Sequence, residues 1–148
     1  MFEKPPFNKD EEARIVSAVK EAELKTSGEI RIHVEKHSKL DPMKRAVEMF
    51  EKLGMTKTEQ RNGVLIYIAT VDHKFAIIGD KGINEAVPED FWETTKELMA
   101  AQFKAGNLAE GIIAGIKNAG IQLKAFFPYE KGDVNELSDN ISYGNDGK

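Results

Sequence analysis

The chain has 148 residues, of which 41% are hydrophobic and 31% charged, and it contains no cysteine. This length fits one compact domain. Without cysteine there can be no disulfides, thiolate metal sites, iron-sulfur clusters or cysteine nucleophiles. The net charge of -4 and the lack of a cluster of basic residues argue against nucleic-acid binding. The N-terminal residues lack a signal-peptide pattern, and no apolar run is long enough to span a membrane, so we predict a cytoplasmic protein without membrane insertion.

The first predicted elements are a helix and a strand. Asn8 and Glu11 have the spacing of a capping box, and apolar residues then recur at helical spacing up to Lys25. Gly28 ends this helix. In residues 29–35 apolar and polar residues alternate strictly, which predicts a strand with one packed face and one wet or partly covered face.

A second helix and two further strands follow. Asp41 is a predicted N-cap followed by Pro42 at the first helical position, and the helix ends at Gly54. Residues 64–69 form a short continuous apolar run, typical of a strand covered on both faces. A turn at Asp72–His73 leads into residues 74–79, which predicts an antiparallel hairpin.

Two helices complete the predicted fold. The third begins at Val87–Pro88, carries Phe91 and Trp92 in the core and ends at Gly106, and the fourth follows Asn107. A right-handed crossover makes the first two strands parallel, with helices on both faces of the sheet. The order helix-strand-helix-strand-strand-helix-helix therefore predicts a three-layer α/β/α sandwich with a central mixed sheet, formed by residues 1–128. Residues 129–148 are acidic and are predicted to be a flexible tail.

Two opposite edges of this sheet concentrate polar residues. One holds His37, Asp72 and His73, which offer two imidazoles and a carboxylate for zinc, although turn residues of these types are commonly only solvated. The other collects glycines and oxygen-bearing side chains from three segments: Gly28–Glu29, residues 61–63 and residues 79–85. Carboxylate and amide oxygens are the ligands that calcium and magnesium prefer.

Five segments of the sequence resemble, in order, the TPM-domain family. They are residues 26–30, 61–68, 72–83, 87–92 and 103–108. The family includes thylakoid-lumen proteins of photosystem II repair, a nematode modulator of acetylcholine receptors, and bacterial proteins often encoded near LemA-type membrane proteins. The resemblance implies an α/β/α sandwich. Some members bind calcium or other divalent metals, and an acid phosphatase activity has been proposed for the plant protein.

Carried over residue by residue, the resemblance favours the glycine-rich edge. Glu29, the Asn62–Gly63 step, and Asp80 with Gly82 match positions around the metal-binding cleft of the family. This chain has Arg61 where many members have an acidic residue, and Gly-Asp-Lys-Gly where Gly-Tyr-Gly is commoner. The first of these differences removes a metal ligand.

Three hypotheses follow. The first is a divalent-cation-binding domain with Glu29 and Asp80 as carboxylate ligands, Glu85 as a third, and Arg61, Asn62 and Gly82 as further ligand-binding residues. The second is a metal-assisted acid phosphatase in which Arg61 contacts the phosphate and Asp80 orients water or attacks. The third is an interaction module for a protein partner in a membrane-associated complex.

Overall fold

The structure, a computed structural model, describes residues 6–129 and 137–144. In chain order its elements are α1 (Lys9–Glu23), β1 (Glu29–Glu35), α2 (Pro42–Lys52), a 3-10 turn (Met55–Lys57), β2 (Gly63–Ala69), β3 (Lys74–Gly79), α3 (Lys81–Ala86), α4 (Glu93–Lys104), α5 (Leu108–Phe126) and β4 (Ser142–Tyr143).

Local sequence signals explain how the first two helices begin. At α1 the Glu11 amide donates to Asn8 Oδ1 and the Asn8 amide donates to Glu11 Oε1, which confirms the capping box. At α2 the Met43 amide donates to Asp41 Oδ2, and Pro42 occupies the first helical position. These caps satisfy amides that a helix cannot satisfy internally.

The sheet has the strand order β3-β2-β1-β4. Strands β1 and β2 are parallel, in a register that pairs Glu29 with Gly63 and Glu35 with Ala69, and β2 and β3 are antiparallel. These relations confirm the predicted mixed sheet. Because β1 and β2 begin at the same edge and the antiparallel β3 ends there, residues from three segments meet at that edge.

Helices cover both faces of the sheet, which confirms the three-layer α/β/α sandwich. Helices α1 and α5 pack on one face, and α4 packs on α5. This face contains the larger apolar core, to which β1 contributes Ile30, Ile32 and Val34. Helix α2 lies on the opposite face, where Met49 and Phe50 belong to a smaller core beside β2 and β3.

Two helix predictions need correction. Residues 81–86, for which no helix was predicted, form the short helix α3, because the Asp80 carboxylate accepts a hydrogen bond from the Lys81 amide at the N-cap. The helix predicted from Val87–Pro88 begins only at Glu93. Phe91, which comes before it, is nevertheless buried in the larger core, as predicted.

No strand was predicted after residue 128, whereas Ser142 and Tyr143 form β4, which is parallel to β1. Residues 130–136 and 145–148 of the predicted tail lie outside the described residues, and the flexibility of the tail stays a prediction. Within residues 6–129 and 137–144, no helix is long and apolar enough to cross a membrane.

Candidate functional site

The glycine-rich edge is assembled from the starts of β1 and β2 and the end of β3. The Glu29 amide donates to the Asn62 carbonyl at 3.1 Å, and the Asp80 amide donates to the Gly63 carbonyl at 2.8 Å. Glu29 at the start of β1, Asn62 just before β2 and Asp80 just after β3 therefore lie at one edge of the sheet, as the topology predicted. We call the set Glu29, Arg61, Asn62, Asp80 and Gly82 the β1–β3 edge.

Asp80 and Arg61 form a bidentate ion pair at this edge. Arg61 Nε and Nη2 donate to the two carboxylate oxygens of Asp80, each at 2.7 Å, and the Asp80 side chain is 5% exposed. Burial by itself would raise the pKa of Asp80, but the hydrogen bonds from Arg61 and from the Lys81 amide hold this pKa below its usual value. Both oxygens of the predicted ligand are thus bound by groups of this chain.

Gly82 acts at the β1–β3 edge through its lack of a side chain. Its amide donates to the Arg61 carbonyl at 2.9 Å. A Cβ atom there would lie 2.3 Å from the Gln60 carbonyl oxygen and 2.6 Å from that of Arg61. Arg61 itself has a left-handed backbone, with φ of 51°. The glycine therefore lets α3 pack directly on the loop before β2 and so positions Arg61 beside Asp80.

Asn62 and Glu29 are both buried, at 3% and 4% exposure. Asn62 Nδ2 donates to the Ser27 carbonyl at 2.7 Å, whereas its Oδ1 has no hydrogen-bond partner within the described parts of the chain. Glu29 Oε1 accepts a hydrogen bond from the Leu137 amide at 2.6 Å. The edge therefore offers one buried amide oxygen that the described residues leave unsatisfied, and one buried carboxylate.

The predicted third ligand, Glu85, is exposed on α3. It lines a groove of about 390 Å³ between α2 and α3, together with Asp80 and Asn84. Within residues 6–129 and 137–144, no three His, Asp or Glu side chains form a group that could hold a metal ion. Glu29, Asp80 and Glu85 do not make a ready three-carboxylate site in this conformation.

At the opposite edge, His37 Nδ1 lies 3.0 Å from Asp72 Oδ1, and the His37 side chain is 60% exposed. The Ser38 amide donates to Asp72 Oδ2. This hydrogen bond, followed by the one to His37, lowers the pKa of Asp72. His73 has a left-handed backbone in the hairpin turn. These contacts form a turn that Asp72 stabilises, and none of them brings the His73 imidazole to His37 and Asp72.

A buried polar network that the sequence did not predict lies on the α2 side of β1. Its centre is the Glu35 carboxylate, which binds Arg45 Nε and Nη2 at 2.7 and 2.9 Å, the Tyr67 hydroxyl at 2.5 Å and His33 Nε2 at 3.0 Å. Burial would raise the pKa of Glu35, but the hydrogen bonds, first that from Arg45, lower it to about 2. Glu35 is therefore an anion at neutral pH.

His33 extends this network to β4. Its Nδ1 lies 2.9 Å from the hydroxyl oxygen of Ser142, and its ring stacks on Tyr67 with centroids 5.9 Å apart. Burial lowers the pKa of His33. The alternating pattern of residues 29–35 placed His33 and Glu35 on one face, but it could not reveal that the C-terminal segment covers that face.

A pair of carboxyl groups, Glu23 and Asp139, lies beside the start of β1. Glu23 Oε2 accepts a hydrogen bond from the Ile30 amide at 2.9 Å. Burial, together with a hydrogen bond to Asp139 and the charges of Asp139 and Glu29, raises the pKa of Glu23 to about 9. The neutral, protonated form of Glu23 is therefore favoured over the carboxylate, first by burial and then by the hydrogen bond to Asp139.

Comparison with known proteins identifies the family. The family model of the TPM domain matches residues 6–121. The chain belongs to the TPM-domain family. Its structure is similar to the NMR structure of the BA42 protein from the psychrophilic bacterium Bizionia argentinensis, with a TM-score of 0.91 and 47% sequence identity over 95% of this chain and 97% of that one.

A second solved structure shares this fold at a much lower sequence identity. The N-terminal domain of the cg2496 protein from Corynebacterium glutamicum has a TM-score of 0.63 at 10% identity, over 98% of this chain and 94% of that one. This likeness is one of fold alone. No curated protein matches the chain.

Proposed function

We propose that this TPM domain binds a divalent cation, calcium or magnesium, at the β1–β3 edge. The observation that carries the proposal is Asn62 Oδ1, a buried oxygen without a hydrogen-bond partner among the described residues. Leaving such an atom unsatisfied costs about 1 to 3 kcal/mol, which a bound cation would recover. Glu29, whose amide is bonded to the Asn62 carbonyl, supplies a carboxylate at the same edge.

The oxygen donors at the β1–β3 edge are of the type that a hard cation prefers, but they do not form a group of three carboxylates. We assign Asn62 and Glu29 as the protein side chains that would hold the ion, with backbone carbonyls and water completing its coordination. Asp80 becomes available only if Arg61 leaves it, and the Arg61 side chain is 44% exposed and can turn into solvent. The exposed Glu85 contributes long-range negative charge that attracts the cation.

Arg61 is, in this proposal, an internal cation that competes with the metal for Asp80. A dication and a guanidinium about 5 Å apart repel each other by roughly 1 to 2 kcal/mol even at the dielectric constant of water. Arg61→Asn removes this repulsion, and asparagine tolerates the left-handed backbone at this position. We expect the variant to bind calcium about tenfold more tightly than the wild type.

The experiment is an amide chemical-shift titration of metal-stripped protein with calcium and then magnesium. We expect saturable shifts at residues 28–29, 62–63 and 80–85, tighter binding in Arg61→Asn, and loss of binding in Asn62→Ala. Arg14→Asn is the matched control, because it removes the same charge from an exposed arginine of α1 that pairs with Glu110. Absence of saturable shifts at millimolar metal in both the wild type and Arg61→Asn would refute the proposal.

The arrangement favours cation binding over a phosphatase. A metal-assisted phosphatase would use Asp80 on water or phosphorus and Arg61 on the phosphate oxygens, yet these two side chains bind each other. Assaying the same preparations with p-nitrophenyl phosphate separates the two functions, because turnover lost in Asp80→Ala would support the enzyme instead.

A further inference from the structure

Three side chains on β1 and β4 form a continuous hydrogen-bonded chain. Ser142 Oγ lies 2.9 Å from His33 Nδ1, and His33 Nε2 lies 3.0 Å from Glu35 Oε1. Nucleophile, base and a carboxylate that orients the base are the parts of a serine hydrolase site, and such a site is recognised by geometry rather than by sequence order. We propose that Ser142, His33 and Glu35 form an esterase site in which Ser142 attacks a carboxylic ester.

The network fixes the tautomer that this chemistry requires. Glu35 is anionic and accepts hydrogen bonds, so His33 carries its proton on Nε2 and donates it to Glu35. Nδ1 is then the acceptor, and the Ser142 hydroxyl donates to it. The two ring nitrogens exchange the roles they have in the chymotrypsin-type triad, while the order serine, histidine, carboxylate is kept.

Burial makes the base and the carboxylate rigid and leaves the nucleophile accessible. His33 and Glu35 are almost fully buried, and Arg45 and Tyr67 hold the carboxylate in place. A Cβ atom on Gly144 would lie 2.7 Å from Glu35 Oε1 and 2.9 Å from His33 Nε2, so the glycine backbone passes directly over their hydrogen bond. Ser142 is only partly buried and can meet a substrate from solvent.

The same face of β1 carries a cation for the developing negative charge. Arg31 lies two residues before His33, and its charge contributes to lowering the pKa of His33. Arg31 Nε is buried and has no hydrogen-bond partner in the described parts of the chain. Within this proposal, Arg31 is the cation that would stabilise the oxyanion, and its guanidinium would have to turn towards Ser142, because Nε is buried in this conformation.

The reaction balances with an ester and water as the only reactants. Ser142 Oγ bonds to the acyl carbon while its proton passes to His33 Nδ1, and the resulting imidazolium is stabilised by Glu35. The carbon-oxygen bond to the alcohol then breaks, and the alkoxide takes the proton from Nδ1. Water attacks the acyl-serine, again giving a proton to Nδ1, and the acid leaves as Ser142 recovers its proton.

The decisive test is covalent labelling of the full chain by a fluorophosphonate probe. Attack by Ser142 Oγ forms a phosphorus-oxygen bond and expels fluoride, and peptide mass spectrometry locates the adduct. We expect labelling at Ser142, none there in Ser142→Ala, and a rate at least about 100-fold lower in His33→Gln. Ser138, an exposed serine of the same segment, is the internal control, and Ser138→Ala should label at the wild-type rate.

A second readout separates positioning by Glu35 from a purely structural role. Glu35→Gln should move the His33 proton between the ring nitrogens, visible in imidazole nitrogen chemical shifts, and slow labelling while the amide spectrum stays folded. Release of p-nitrophenol from p-nitrophenyl acetate should fall in parallel. If wild-type Ser142 is not labelled, or is labelled no faster than Ser138, the proposal is wrong, and that result does not depend on whether any variant folds.

Discussion

Removing one oxygen atom from the buried network tests its energetics directly. Tyr67→Phe deletes the hydroxyl that donates to Glu35 Oε2 at 2.5 Å, while the ring and its stacking on His33 remain. A hydrogen bond to a charged group contributes about 1.5 to 3 kcal/mol. Arg45 still holds the carboxylate, so Glu35 stays charged in the variant. We expect the free energy of unfolding to fall by about 2 kcal/mol.

The assay is urea unfolding at pH 7, supported by thermal unfolding. For a chain of this size about 2 kcal/mol corresponds to a melting temperature lower by roughly 4 to 8 °C. Tyr129→Phe, which deletes the same atom from an exposed tyrosine, is the control and should change stability by less than about 0.5 kcal/mol. If Tyr67→Phe is as neutral as Tyr129→Phe, the hydroxyl does not support Glu35 and the network is misassigned.

Three further predictions concern protons and close packing. The pKa of Glu35 is about 2 in the folded state, against an ordinary value of 4.5. The stabilisation that the Glu35 carboxylate contributes is therefore present above pH 4.5 and is lost as the pH falls towards 2. Over that range the difference in the free energy of unfolding between wild type and Glu35→Gln, measured with urea, should shrink. The pKa of Glu23 is raised, so its effect on stability runs the other way, and stability falls as the pH rises from 4.5 towards 9. Glu23→Gln should therefore raise the free energy of unfolding by at least about 1 kcal/mol at pH 8 but not at pH 4. An equal effect at both pH values would contradict the carboxyl pair with Asp139. Gly82→Ala should lower the free energy of unfolding by about 3 kcal/mol or more, because its Cβ atom would overlap two backbone carbonyl oxygens. Gly106 has a positive φ but open space around it, so Gly106→Ala should lower the free energy of unfolding by only about 1 kcal/mol in the same assay.

The predicted topology is confirmed because its signals are local and strong. The apolar run of residues 64–69 became the central strand β2, buried along its whole length, and the capping box at Asn8 set the start of α1. The helix α3 escaped prediction because Asp80 and Gly82 are typical of turns as well as of helix starts. A cap three residues before the first buried apolar residue, Ile83, was the available signal.

The limits of prediction at the site have a different cause. An alternating strand indicates that one face is polar, but polar side chains face either solvent or one another, and the choice depends on residues far away in sequence. On β1 the covering groups are Arg45 from α2 and Ser142 from β4. Arg61 and Asp80 are likewise 19 residues apart in sequence, so their residue types predict a ligand for each of them but not the ion pair that they form with each other.

The hydrogen bond between the Ile30 amide and Glu23 bears on how this protein behaves at high concentration. An open strand edge is a template for pairing with another chain. Strand β4 pairs with β1 only at His33 and Val34, which leaves the beginning of β1 without a strand on that side among the described residues. There the Glu23 carboxyl group occupies the Ile30 amide. A foreign strand would have to displace it, so we expect this side chain to hinder edge-to-edge pairing with another chain.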